Sequence, residues 1–199
     1  MSSIAATPEA AVEGGRPSGM SMPLLGMVLF IASEVMFFGG LFGAYFNIRA
    51  TAGNDWPPAG LEELHWHLPG LFTAVLILSS FTLHIALNAI KRGNGPAMVR
   101  WTMITVILGV VFLAGQLYDY TTLDFTIRDG VYGTTFFTLT GFHGVHVFAG
   151  ICYLCIVLAR GATGQFTRHS HAAVEGASLY WHFVDVVWIV LFFILYVLK

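Results

Sequence analysis

Five long apolar runs, at about 24–46, 68–90, 101–120, 132–158 and 174–198, dominate the chain, each interrupted by at most two or three strongly polar side chains. A bilayer-crossing helix takes ~20 predominantly apolar residues, so each run predicts one transmembrane helix. Breakers lie between them: Asp55-Trp56-Pro57-Pro58 after the first, Gly93-Asn94-Gly95-Pro96 after the second, Gly161 and Gly164 after the fourth. The short alternating segments of a membrane barrel are missing. Residues 1–22 read as Ala, Ser, Gly, Pro and Glu with few large apolar side chains. That segment is expected to be disordered, and it lacks the basic leader and short apolar core of a cleaved signal. Residues 23–199 then form a single transmembrane domain, all-α, a bundle of five helices with short loops and no internal repeat.

Composition sharpens this. Of 199 residues, 56% are hydrophobic and 10% charged, against about 25% charged in soluble domains. A soluble enzyme and a disordered scaffold are excluded. The net charge of −2 offers no cationic footprint for nucleic acid. Cys152 and Cys155 are too few for a disulfide framework. Basic residues set the orientation. Arg16, Lys91, Arg92, Arg100, Arg160 and Arg168 fall on the amino-terminal side, whereas Arg49, Arg128 and Lys199 fall opposite with Asp55, Glu62, Glu63, Asp124 and Asp129. The amino terminus is expected in the cytoplasm and the carboxyl terminus outside.

Ionisable groups inside the membrane cost about 2.5–3.5 kcal/mol each on insertion scales, so each needs a partner or a proton. At 1.5 Å per residue from the cytoplasmic ends, Glu34 lies ~16 Å deep, His146 ~18 Å, His143 ~22 Å, His182 ~13 Å and Asp185 ~18 Å. One shared buried polar cluster accounts for all five. It would serve as a proton relay or metal site, or as glue between helices. Asp185, one turn from His182, is read as the carboxylate that orients that imidazole. Gly39 and Gly43, a small-xxx-small pair, lie ~140° and ~180° around span one from Glu34. That span is expected to be contacted on two sides, interior or wedged against another subunit. Gly141 and Gly144 imply close packing of span four. Cys152 and Cys155 read as small apolar fillers within a helix. His65, His67, His169 and His171 fall in interfacial loops, and His84 with Asn88 suggests another interhelical contact.

Ser33-Glu34-Val35-Met36-Phe37-Phe38 resembles a run in subunit III of the cytochrome c oxidases, in the haem–copper oxidase superfamily. Trp56-Pro57-Pro58 fits the loop that follows it there. Residues Asp129 to Phe137 and Thr140 to Val147 resemble the family's longest signature, and Tyr180-Trp181-His182-Phe183-Val184-Asp185-Val186-Val187-Trp188 resembles its last helix. The motifs keep the family's order from about residue 30 to 190.

The resemblance implies an accessory, non-catalytic subunit of a proton-pumping aa3-type oxidase in a bacterial inner membrane. Such a subunit binds no haem or copper itself. It lies mainly against subunit I, which holds two haems and a copper and reduces O₂ to water, while subunit II receives electrons from cytochrome c. A larger respiratory supercomplex is a further possible partner. In that family the carboxyl matching Glu34 is carbodiimide-reactive but off the essential proton path. Subunit III there supports proton uptake and active-site durability and holds phospholipid, whose phosphate would fall to Arg160. An Arg at the cytoplasmic end of span four suits a head-group phosphate. His169 and His171 are candidates for gathering protons at that surface. Five spans match the short bacterial form; the long form adds two helices that wall a lipid cleft. A quinol oxidase subunit is the nearest alternative. More distant are a histidine-rich di-iron membrane enzyme, which would require the histidines to converge with carboxylates, and an independent proton transporter built on Glu34.

Overall fold

The computed structural model describes residues 21–53, 56 and 66–198. Five helices follow in order: α1 (Met22–Ala52), α2 (His67–Lys91), α3 (Gly95–Thr122), α4 (Gly130–Ala162) and α5 (Ala172–Phe192), the last continuing as a π-helical turn over Phe193–Val197. All five are long and apolar enough to cross a membrane. The remaining pairing is an isolated bridge between Thr167 and Ser170. Residues 1–20 lie outside the described residues, as do Asp55, Pro57, Pro58, Glu62, Glu63, His65 and Lys199. Helix α1 already begins at Met22, within the segment expected to be disordered, because Pro23 suits a first helical turn, where no amide donor is required.

Helices α1 to α4 extend past their apolar spans at both ends. The 33 residues of α4 extend ~50 Å, beyond a hydrocarbon layer of about 30 Å. Side-chain bonds shape the turns that enter α3 and α4. Asn94 accepts the Ala97 amide at 3.1 Å to open α3, and Gly93 takes the positive φ of +80° needed to turn sharply out of α2. Before α4, Asp129 accepts the Thr126 amide at 2.6 Å and the Thr126 hydroxyl at 2.9 Å. These bonds hold its carboxyl below the ordinary aspartate range.

Helix α5 is the hub. Of its membrane-spanning stretch 56% is buried, against 6% for α1, and it packs on α1, α2 and α4. Helices α2 and α3 form an antiparallel hairpin, with α3 also against α4. Trp181 of α5 is fully buried at a point where two glycines let backbones approach. A Cβ on Gly109 of α3 would lie 2.6 Å from its ring, and one on Gly150 of α4 would lie 2.9 Å away. Its indole donates to Ser79 Oγ of α2 at 2.9 Å, and the indole of Trp188 donates to Thr73 Oγ1 at the same distance. Hydroxyls thus fix the register of α2 against α5 where lipid supplies no hydrophobic drive.

Helix α1 is peripheral, which corrects the interior alternative for span one. A Cβ at Gly39 or Gly43 would meet nothing within 4 Å, and the same holds at Gly141. Only Gly144 of the expected close-packing glycines touches a neighbour, Gln116 at 3.3 Å. Spacing shows that a helix has a small-residue stripe; it does not show which azimuth faces protein. The far end of α1 is pinned to the end of α5, with Arg49 Nη2 donating to the Leu198 carbonyl at 2.8 Å and Tyr45 to that of Ile194 at 3.5 Å. Trp56 sits edge-on to Tyr45 and Tyr132, joining the loop after α1 to the start of α4.

Candidate functional site

The five membrane-embedded ionisable residues separate into two hydrogen-bonded groups and one lone ring. Glu34 of α1 and His146 of α4 meet directly, Oε2 to Nε2 at 2.9 Å, both largely shielded. His146 Nδ1 donates to the Phe142 carbonyl one turn back at 2.7 Å. A carbonyl can only accept, so Nδ1 carries a hydrogen, and one further proton must lie between Nε2 and Oε2. Whether drawn as carboxylic acid with imidazole or as carboxylate with imidazolium, the pair has no net charge. Phe37 stacks on the His146 ring and Phe38 meets it edge-on at 5.0 Å, and the Tyr180 hydroxyl donates to the His146 carbonyl at 3.1 Å.

His182 and Asp185 of α5 form the second group, joined through Ser80 of α2. Ser80 Oγ lies 2.8 Å from His182 Nδ1 and is hydrogen-bonded to Asp185 Oδ2. The expected direct orientation of His182 by Asp185 is thus replaced by a hydroxyl relay. One helical turn places the two side chains side by side, and the serine of the facing helix fills the space between them.

His143 stands apart from both groups. It is fully buried, stacked on Trp188 at 4.9 Å and edge-on to Phe112, with neither ring nitrogen hydrogen-bonded. Three residues before His146, it points from α4 toward α3 and α5, whereas His146 points toward α1. Common depth did not bring it into the group because its azimuth differs.

A polar group that the sequence reading passed over lies near the other end of the bundle. Gln116 of α3 donates to the Thr140 carbonyl at 2.8 Å and to the Tyr120 hydroxyl at 3.1 Å, and Tyr120 donates to Thr140 Oγ1 at 2.8 Å. Tyr196 donates to Asp119 Oδ2 at 3.4 Å. Gln116 and Asp119, three apart within an apolar run, were the available signal.

Toward the surface shared by the ends of α2 and α4 and the start of α5, Glu175 accepts from Lys91 at 3.1 Å and lies 3.4 Å from His171 Nε2. His169 is exposed. Arg160, also exposed, donates from Nε to Gln165 at 3.0 Å and stacks over Phe166. Cys152 and Cys155 are exposed on α4 rather than filling its packed face. His84 is likewise exposed, and neither it nor Asn88 makes the expected interhelical hydrogen bond among the described residues. Among those residues no three His, Cys, Asp or Glu side chains converge as a metal site would require.

A family model described as cytochrome c oxidase subunit III matches residues 8–199. Similar proteins include cytochrome c oxidase subunit 3 of Thermostichus vulcanus, 43% identical over 88% of this chain and 87% of the relative. The protein of the same name from Synechocystis is 44% identical over 88% of this chain and 75% of its own length. The one from Loxodonta africana is 42% identical over 86% of this chain and 67% of the relative.

Proposed function

The chain belongs to the cytochrome c oxidase subunit III family, and from that premise we propose that it is the accessory, non-catalytic subunit of a proton-pumping aa3-type oxidase in a bacterial inner membrane. The observation that carries this reading is the closed hydrogen bonding of Glu34 and His146. An acid and a base that share one proton, with the second imidazole nitrogen already committed to a carbonyl, bind the helices without leaving a site for substrate. Electron transfer and O₂ reduction then belong to haems and copper on subunits I and II. The amino terminus lies in the cytoplasm in this reading, since Lys91, Arg92, Arg100 and Arg160 gather at one end of the bundle.

Assays of the complex purified through this chain test it: reduced cytochrome c supports turnover, and turnover with ubiquinol alone overturns the choice of donor. The Glu34→Gln variant keeps most of the O₂ reduction rate, because an amide N–H can donate to His146 Nε2 where the shared proton now sits. Complete loss of activity in a fully assembled complex would refute a packing role.

Arg160 is proposed to hold a lipid phosphate. Its Nε is engaged by Gln165 and its plane lies on Phe166, a posture that leaves the two terminal nitrogens for a bidentate phosphate contact. In the Arg160→Ala variant the initial rate stays near wild type while the catalytic lifetime shortens, read as turnovers before inactivation. Equal lifetimes would remove the lipid assignment.

A further inference from the structure

An open groove of about 470 Å³ lies along the α2–α3 hairpin. Its lining is ordered by depth. Of the lining residues, Arg92 and Asn94 cap the ends of α2 and α3, Asn88 and Ala97 lie about one turn along the helices, and Ile85 and Trp101 about two turns along. Ile85, seven residues before Arg92, lies ~10 Å farther into the bilayer.

The polar part of this lining can donate far more than it accepts. The Arg92 guanidinium, the Asn88 amide and the Trp101 indole make no side-chain hydrogen bond among the described residues, and the Asn94 oxygen is already spent on the Ala97 amide. No carboxylate lines the groove. Lys91 is neutralised by Glu175, but Arg92 and Arg100 have no acidic partner among the described residues. A group held here carries negative charge at the rim and hydrocarbon below, and the lining has no carboxylate to pair with an ammonium.

We propose that the α2–α3 hairpin binds an anionic phospholipid, with its phosphodiester on Arg92 and Asn88 and its first acyl methylenes along Ile85 and Trp101. Guanidinium matches phosphate oxygens in pairs, the apolar faces of Ile85 and Trp101 suit acyl methylenes, and the cytoplasmic leaflet supplies anionic head groups. This site is separate from Arg160, which does not line the groove.

The test is native mass spectrometry of the whole purified complex with added phosphatidylglycerol or phosphatidylcholine, in wild-type and Arg160→Ala backgrounds. Wild type retains phosphatidylglycerol in preference to phosphatidylcholine. Arg92→Gln weakens that retention about fivefold to tenfold in both backgrounds. Ile85→Trp, which fills the apolar end of the groove and leaves the charge unchanged, weakens it as well. Loss with Arg92→Gln but not with Ile85→Trp would mean diffuse surface attraction and would overturn the site. Equal competition by inorganic phosphate would overturn the lipid as occupant. Unchanged lipid retention with release of another subunit from the Arg92→Gln complex would assign the groove to a protein partner and overturn the proposal.

Discussion

Trp181→Ala lowers the stability of the bundle by about 3–5 kcal/mol and shifts the thermal midpoint of the assembled protein accordingly. The indole is fully buried at the meeting point of four helices. It belongs to α5, donates to Ser79 of α2, and fills the space left by the missing side chains of Gly109 on α3 and Gly150 on α4. Truncation therefore opens a cavity whose walls are helix backbones, which relax poorly. Trp181→Phe costs less because most of the volume remains, although Ser79 loses its donor. Thermal unfolding that leaves the Trp181→Ala midpoint unchanged would show that the hub lies elsewhere.

His146→Phe destabilises the α1–α4 contact by about 2.5–3.5 kcal/mol, the scale of an ionisable group left alone in a bilayer. Glu34→Gln costs much less. The asymmetry follows from hydrogen bonding: the amide keeps a donor for His146, whereas phenylalanine removes the ring nitrogen that the Glu34 carboxyl is bonded to. Removing both polar partners in a Glu34→Leu, His146→Phe double variant recovers part of the loss, since an apolar pair needs no compensation. Heating or urea titration of the three variants checks the order. A single His146→Phe variant as stable as Glu34→Gln would end the shared-proton account.

The number and positions of the helices were readable from the sequence because bilayer thickness sets the length of the apolar runs; the first four helices extend past those runs into turns beyond the oil. Glu34 and His146 could be matched by depth alone. Direction around the helix axis was not readable, and the departures at the polar and small residues follow from that. His143 lies at the right level but faces the core. Gly39 and Gly43 form a stripe that touches nothing, while Gly109 and Gly150, inconspicuous in their runs, admit the largest buried side chain. Ser80 became visible as the connector of His182 and Asp185 only once α2 was docked on α5. Gln116 and Asp119 carried a usable spacing signal that the stronger histidine motifs obscured.

The bond between Glu34 and His146 also constrains how the protein is made. The two residues are 112 positions apart in the chain. At 5–20 residues per second the ribosome needs about 6–22 s to deliver the second after the first. Throughout that interval the first span lacks His146, its partner in the folded bundle, so its acid enters the oil carrying its own hydrogen or waits at the translocation machinery for α4 to arrive. The seam between the first and fourth helices is therefore a late closure in biogenesis, made after the hairpin of α2 and α3 has already been laid down.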